Sequence, residues 1–184
     1  MHGVGIRQEI IDRVLARRGR VHLFDRFDPA SCAVVVIDMQ NTFCQPGAPA
    51  EVPRSRDIVG PINRLNAGVR ARGGTVIWVT HANLGTRDGS DWRGFFENFV
   101  ADDVRRRTIE SLAPGGEGQR IWPELTVAPE DPQILKNRYS ALIPGSSNLE
   151  RLCRSLGIST LFITGTKTNV CCESTARDAM MLNF

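Results

Sequence analysis

The sequence lacks the features that mark several common protein classes. No run of about 18 apolar residues occurs, and the N-terminus lacks the apolar segment of a signal peptide, which predicts a soluble, cytoplasmic protein without a membrane partner. The net charge of +3 is small and dispersed, so we expect no nucleic-acid partner. No glycine-rich phosphate fingerprint follows the first predicted strand, which argues against a dinucleotide-binding fold.

Histidine is also scarce, and the spacing of the histidines and cysteines does not suggest a metal site. His2, His22 and His81 lie far apart in the chain, and the five cysteines form no CxxC pair. An odd number of cysteines without a paired framework favours free thiols in a reducing compartment. We therefore expect neither a bound metal nor a cofactor. His81 follows a predicted strand, and we interpret it as a satisfied hydrogen-bonding residue rather than a pocket residue.

The sequence does contain an alternation of apolar, β-branched segments with amphipathic helical segments. Its 184 residues, 41% of them hydrophobic and 23% charged, are typical of one globular domain. The predicted strands are 33–37, 75–80, 133–135 and 160–164, and the predicted helices are 6–18, 57–72, 148–156 and the segment from 170 onward. This order is typical of a parallel α/β sheet with helices on both faces, a Rossmann-like three-layer arrangement. We assign residues 1–30 to an N-terminal helix and connection, and residues 31–184 to the main domain.

Two of the helical predictions are specific enough to be checked residue by residue. Asp57 is a plausible cap for the second helix, which also contains Pro61 in its opening part. The helix that begins near residue 170 is expected to turn an apolar face inward. That face is formed by Ala176, Ala179, Met180 and Leu182. Residues 82–132 form a long segment rich in aromatic residues, which either packs on the sheet or covers a site, or does both.

The stretch 160–184 carries two adjacent cysteines just after a strand. Cys171 and Cys172 fall in the first turn of the predicted helix, where unpaired N–H groups and the helix dipole favour an anion. A thiol there tends towards thiolate, the form that attacks carbonyl carbon. The alternative is that both cysteines pack as small apolar residues in the core.

Two further charged residues lie at predicted strand ends. Asp38 follows the first strand and Lys136 follows the third. Because the C-terminal ends of parallel strands share one edge, Asp38, Lys136 and Cys171 are expected to converge there. Asp38 would take the thiol proton and return it to a leaving nitrogen, while Lys136 would hold Asp38 and favour negative charge on sulfur. The alternative for Asp38 is a cap on a local turn.

Three segments carry a resemblance to a known family. IDMQNTF at 37–43, KNRYSA at 136–141 and TGTKTNVCCESTARDA at 164–179 resemble the signature segments of the isochorismatase-like cysteine hydrolases. The family pattern G-x-x-T-[ND]-x-C falls on Gly165, Thr168, Asn169 and Cys171, which makes Cys171 rather than Cys172 the matching nucleophile. The resemblance implies an Asp-Lys-Cys triad of Asp38, Lys136 and Cys171 on a parallel α/β sheet.

The resemblance also implies an activity. Family members cleave C–N bonds of small amides, ureides and carbamoyl compounds through an acyl-enzyme. The segment 168–175 is similar to that of the ureidoacrylate amidohydrolase branch, which makes a small ureido or carbamoyl acid the first expected substrate. Isochorismatase-type vinyl-ether hydrolysis and a non-catalytic α/β binding or assembly subunit are the alternatives. Relatives with vinyl-ether activity lack the cysteine that is present here.

Further site residues follow from the same resemblance. The backbone N–H groups of Lys167 and Cys171 are expected to form an oxyanion hole, with a non-proline cis peptide at Thr166–Lys167. Phe43, Trp92 and Tyr139 are expected to form pocket walls, and no metal motif of the family is visible. Lys167 itself departs from the small apolar residue of many relatives.

The C-terminal end of the sequence is the other departure from the family. Relatives continue beyond the nucleophile helix, so we expect that the C-terminal part of the fold is missing, or that another subunit of a homo-oligomer covers the fourth strand.

Overall fold

A four-stranded parallel sheet organises the chain. The computed structural model describes residues 5–24, 26–83 and 91–184. Its strands are β1 (Cys32–Ile37), β2 (Thr75–His81), β3 (Gln133–Lys136) and β4 (Thr160–Gly165). They lie in the order β3-β2-β1-β4, and all three neighbouring pairs are parallel. The predicted α/β sheet is therefore confirmed, and each predicted strand falls within the bounds of an observed one.

Helices connect the strands and cover the sheet. The α-helices of the described residues are α1 (Gln8–Arg18), α2 (Asn41–Cys44), α3 (Val59–Arg70), α4 (Arg93–Phe99), α5 (Asp102–Ser111), α6 (Leu149–Ser155) and α7 (Glu173–Met181). Short 3-10 turns occupy Pro29–Ser31, Pro53–Ile58 and Glu117–Gln119, and a π-helical turn occupies Thr168–Cys172. None of the helices is long and apolar enough to cross a membrane within the part of the chain that the structure describes.

The core forms two layers because the side chains of β1 alternate between the two faces of the sheet. Ala33, Val35 and Ile37 face one cluster, which includes residues of α6 and α7. Val34 and Val36 face the other cluster, which includes residues of α3. All six residues of β1 are buried, which is the pattern of a strand covered on both sides. The three-layer prediction is thus confirmed.

Two helix predictions need correction. Asp57 is no helix cap, because Pro53 starts a 3-10 turn that contains Asp57, and the Asp57 carboxylate instead pairs with Arg54 at 2.8 Å. In α7, Ala179 is buried as predicted, but Ala176 and Met180 are exposed. Thr175 is the other buried residue of α7. Adjacent helical residues point about 100° apart, so Ala176 and Met180 turn away from the face that Thr175 and Ala179 present to the sheet.

A buried ion pair ties β2, α3 and the loop before β3 together. Asp131 accepts hydrogen bonds from Arg70, from Trp78 Nε1 at 2.9 Å and from the Ala128 N–H at 2.9 Å. Although burial raises the pKa of Asp131, these hydrogen bonds hold it below its ordinary value of 3.8. A lowered carboxylate pKa means that the ionised form stabilises the fold above pH 3.8.

We expect Asp131→Asn to lower the free energy of unfolding by about 3 kcal/mol at neutral pH, because it leaves the Arg70 guanidinium partly buried and unpaired. The difference from the native protein should be complete above pH 3.8 and disappear as the pH falls through the lowered pKa of Asp131. Urea denaturation at several pH values measures both the loss of unfolding free energy and its dependence on pH. Equal stability of the two proteins at neutral pH would contradict this role.

Candidate active site

Asp38, Lys136 and Cys171 meet at the C-terminal edge of the sheet. Asp38 directly follows β1, Lys136 is the last residue of β3, and Cys171 lies in the π-helical turn after β4. The Lys136 Nζ atom lies 2.8 Å from Asp38 Oδ2 and 3.6 Å from Cys171 Sγ. The convergence predicted from the parallel strand ends is therefore observed.

Asp38 is fully buried and held in an unusual backbone conformation. Its φ of 53° lies in the left-handed region, and its N–H donates to the Val79 carbonyl at 2.9 Å. Such a conformation costs about 1–3 kcal/mol in a non-glycine residue and persists where the surroundings enforce it. Its carboxylate accepts no aligned hydrogen bond from the described residues, so the Lys136 ion pair and the Cys171 thiol are its neighbours. The alternative that Asp38 caps a local turn is wrong.

The charges of the three groups are strongly coupled. Burial raises the pKa of Asp38, and the nearby Lys136 ammonium and Cys171 thiol offset this only in part. Burial lowers the pKa of Lys136, but the Asp38 carboxylate and Cys171 more than compensate and raise it. The ammonium of Lys136 therefore stays charged over the whole neutral range.

The predicted thiolate of Cys171 is not the resting form. Burial and the adjacent Asp38 carboxylate raise the pKa of the Cys171 thiol far above its ordinary value, and Lys136 opposes them incompletely. The prediction considered the favourable turn and the Lys136 cation, but not the burial of the sulfur or the carboxylate beside it, which disfavours a second negative charge. Cys171 is therefore a thiol at rest, and it can be activated only by giving its proton to a neighbouring base.

The two adjacent cysteines have different surroundings. Cys171 lines a cavity and contacts Lys136, whereas Cys172 Sγ lies 3.6 Å from the Thr164 carbonyl oxygen on the core side. Burial raises the pKa of Cys172 to about 12. Cys172 thus fits the description of a packing cysteine, whereas Cys171 is the one of the two that lines the cavity.

Gly165 brings the cysteine turn close to Asp38. Its φ is 107°, and a Cβ atom at this position would lie 2.0 Å from the Ile37 carbonyl oxygen. Only glycine allows this approach of β4 to the end of β1. The following Thr166 N–H donates to the same Ile37 oxygen at 3.0 Å. The Thr166–Lys167 peptide is cis, as the sequence resemblance predicts.

A cavity of about 240 Å³ opens beside Cys171. All three predicted wall residues, Phe43, Trp92 and Tyr139, line it, and further lining side chains come from α4, α5 and their connection: Phe95, Phe96, Val100, Val104 and Thr108. The aromatic segment between β2 and β3 therefore covers the site, although its residues 84–90 lie outside the described part of the chain.

The cover is attached to the segment that follows Lys136. The Trp92 and Tyr139 rings pack edge to face with centroids 4.7 Å apart, and the Arg138 guanidinium lies 5.2 Å from the centre of the Trp92 ring. Asn137 Nδ2 donates to Asp91 Oδ2 at 2.7 Å. Residues 136–139 consequently supply the ammonium of the site, one wall and the anchor of its cover.

Our sequence interpretation of His81, as a hydrogen-bonding residue rather than a pocket residue, is only half right. His81 does hydrogen-bond, as expected, but it also lines the cavity, and its Nδ1 atom lies 3.2 Å from Lys136 Nζ. The signal was present, because His81 ends β2 at the same edge as Asp38 and Lys136. Gln40 was missed entirely; it is buried, and its side-chain amide bonds the backbone of His81.

Comparisons with known proteins agree with this architecture. The family model described as the isochorismatase domain matches residues 32–184. A cysteine hydrolase from Pseudomonas syringae pv. phaseolicola is 28% identical, with a TM-score of 0.75, and the match covers 90% of this chain and 74% of that one. An isochorismatase family protein from Desulfovibrio vulgaris is 32% identical, with a TM-score of 0.69, and the match covers 84% of this chain and 76% of that one. Given the domain match, the fold and the site, the chain belongs to the isochorismatase family of cysteine hydrolases.

Proposed function

We propose that the protein is a cysteine-dependent amidohydrolase that cleaves a C–N bond of a small amide, ureido or carbamoyl compound through a thioester. One observation carries the proposal. The Lys136 ammonium touches both the Asp38 carboxylate and the Cys171 sulfur, and Cys171 lies in the wall of a cavity that fits a small molecule. A base (Asp38), a cation (Lys136) and a nucleophile (Cys171) are thereby placed next to one another.

In the first half of the reaction, Asp38 takes the proton of the Cys171 thiol, and the sulfur electron pair forms a bond to the substrate carbonyl carbon. The carbonyl π electrons move to oxygen. The raised pKa of Asp38 makes it a stronger base than an exposed carboxylate. Lys136 stays beside the negative charge as it moves from the carboxylate to the sulfur, so this transfer never leaves an unpaired charge in the buried site.

The intermediate then collapses. The carbonyl re-forms, the C–N bond breaks with its electrons on nitrogen, and Asp38 gives the proton to that nitrogen, so that ammonia or an amine departs. Water then gives a proton to Asp38 while its oxygen forms a bond to the thioester carbon. The C–S bond breaks with its electrons on sulfur, and Asp38 returns the proton to the sulfur, so the acid is released and the thiol is restored. The backbone N–H groups of Lys167 and Cys171 are the proposed donors to the oxyanion in both halves.

The substrate class we propose is a small ureido or carbamoyl acid. The support is the resemblance of segment 168–175 together with Lys167, a basic residue of the cavity lining that suits a substrate carboxylate. The rest of the described lining is mostly apolar and aromatic, which suits a compact substrate that leaves its solvation shell on binding.

Trapping the acyl-enzyme tests the reaction directly. We expect a screen of small ureides, carbamoyl acids and primary amides to show ammonia release, and rapid acid quenching to leave an acyl group on the peptide that contains Cys171. Mass spectrometry of the digested protein locates the adduct. Chelator-treated protein is the matched control, and we expect it to retain its rate.

Two results would count against this proposal. Turnover without any adduct on Cys171 would remove the thioester step. Activity that is lost on chelation and restored by a divalent ion would show that a metal takes part.

A further inference from the structure

His81 contacts the Lys136 ammonium and also lines the cavity. It pairs directly with Lys136 across β2 and β3, so the two side chains stand next to each other on the same face of the sheet. Its Nδ1 atom lies 3.2 Å from Lys136 Nζ, and 6% of the residue is exposed. The cavity that His81 lines is the one that contains Cys171.

The contact with Lys136 fixes where the imidazole carries its proton. An ammonium group has three N–H donors and no acceptor, so any hydrogen bond to it must be accepted by the other atom. Lys136 Nζ lies 2.8 Å from Asp38 Oδ2, 3.0 Å from the Arg138 carbonyl oxygen and 3.2 Å from His81 Nδ1. The Nδ1 atom must therefore offer its lone pair, which leaves the single ring proton on Nε2.

A second proton on this ring is strongly disfavoured. Burial, then the positive charges of Lys136 and Arg138, hold the pKa of His81 well below its ordinary value. His81 is thus neutral at neutral pH, and its Nε2–H group is a donor of fixed identity. A histidine in open solvent would exchange between tautomers instead.

The backbone of His81 is held just as firmly. Gln40 Nε2 donates to the His81 carbonyl oxygen at 3.0 Å, and the His81 N–H donates to Gln40 Oε1 at 2.7 Å. The same Gln40 nitrogen also donates to the Gln119 carbonyl oxygen at 2.8 Å. A buried glutamine whose amide bonds both the N–H and the carbonyl oxygen of one residue keeps the backbone of that residue in one place.

We propose that His81 is a specificity-determining residue, whose Nε2–H donates a hydrogen bond to an acceptor atom in the acyl part of the substrate. The kinetic part of this inference rests on the proposed amidohydrolase function. A desolvated donor rejects a ligand that cannot accept its hydrogen bond, because the donor then stays unpaired. The enzyme should therefore prefer an amide with an acceptor over an isosteric amide without one, by about 10-fold or more.

Two matched substrate pairs and two matched variants test this. Methoxyacetamide and butanamide differ by an ether oxygen in place of a CH₂ group, and the pyridinecarboxamides differ from benzamide by a ring nitrogen. His81→Gln keeps an N–H donor near the Nε2 position but gives up the acceptor to Lys136. His81→Asn keeps an acceptor for Lys136 but has no donor at the Nε2 position.

The readout is the ratio of kcat/KM values within each pair. We expect the native protein to prefer the acceptor-containing amide in at least one pair, His81→Gln to keep that preference, and His81→Asn to bring the ratio close to one. A residue that acted only through Lys136 would give the reverse, with both substrates of a pair falling in parallel in His81→Gln and the ratio unchanged in His81→Asn. That pattern, or no preference in the native protein, overturns the proposal.

Nitrogen-15 NMR of histidine-labelled protein provides a readout that does not require turnover. In the Cys171→Ala variant, we expect the His81 signals of the neutral Nε2–H tautomer at neutral pH, and a shift of that N–H on adding methoxyacetamide or a pyridinecarboxamide but not butanamide or benzamide. An Nδ1–H tautomer, a charged ring or an equal response to all probes overturns the inference. Absence of amide hydrolysis with the expected NMR response would count against the proposed reaction alone.

Discussion

Cys171→Ala should lower kcat/KM for amide hydrolysis by about 10⁴-fold or more, because it removes the atom that forms the thioester. Cys172→Ala, the matched control one residue along, should keep most of the activity. The Cys172 sulfur faces the Thr164 carbonyl oxygen rather than the cavity, so its loss is a packing change that costs about 1 kcal/mol of stability. Ammonia release measures activity, and thermal unfolding shows whether each variant folds.

The activities of the two variants should differ this strongly only if Cys171 alone is the nucleophile. Equal losses of activity from the two changes, in variants of equal stability, would show that the assignment of Cys171 is wrong. Acylation of Cys172 in the Cys171→Ala protein would also show that the assignment is wrong.

Asp38→Asn should lower kcat by about 10³-fold, since an amide of the same shape cannot take the thiol proton. Lys136→Met should cause a loss of similar size, because the negative charge on sulfur then has no cation beside it. Each single change also leaves one buried charge without its partner, which costs about 3–5 kcal/mol of folding free energy. A low activity alone would therefore not separate chemistry from misfolding.

The double variant makes that separation. Asp38→Asn combined with Lys136→Met removes both buried charges, so it should unfold at a higher urea concentration than either single variant while remaining inactive. If the loss of activity in the double variant is smaller than the combined losses of the two single variants, expressed as free energies, the two groups act as a unit. If Lys136→Met keeps most of the activity on a true substrate, the proposed triad does not operate.

The location of the site was predictable because it depends on strand direction alone. Asp38, Lys136 and Cys171 each follow a run of apolar residues, and parallel strands bring such positions to one edge whatever their exact pairing. The family segments then distinguished Cys171 from Cys172. Predicting the location of the site did not require any knowledge of how the helices pack.

What escaped prediction depends on pairing and burial, which one sequence does not display. The contact between His81 and Lys136 follows from the register of β2 against β3, and a shift of one residue would have moved His81 to the other face. The raised pKa of Cys171 follows from how deeply Asp38 is buried beside it. The buried face of α7 depends on the π-helical turn that precedes it, because an added residue in a turn rotates everything that follows.

The strand order has a consequence for how the protein acquires its reactivity. β3 and β4 are the two outer strands of the described sheet, and Lys136 comes from one while the turn that carries Cys171 follows the other. A chain in which either outer strand has not yet docked separates the sulfur from its cation, so the proposed arrangement of Asp38, Lys136 and Cys171 does not exist there. Under the proposed mechanism, activity requires both outer strands to be docked, so we expect it to be lost in any partial unfolding that releases either one.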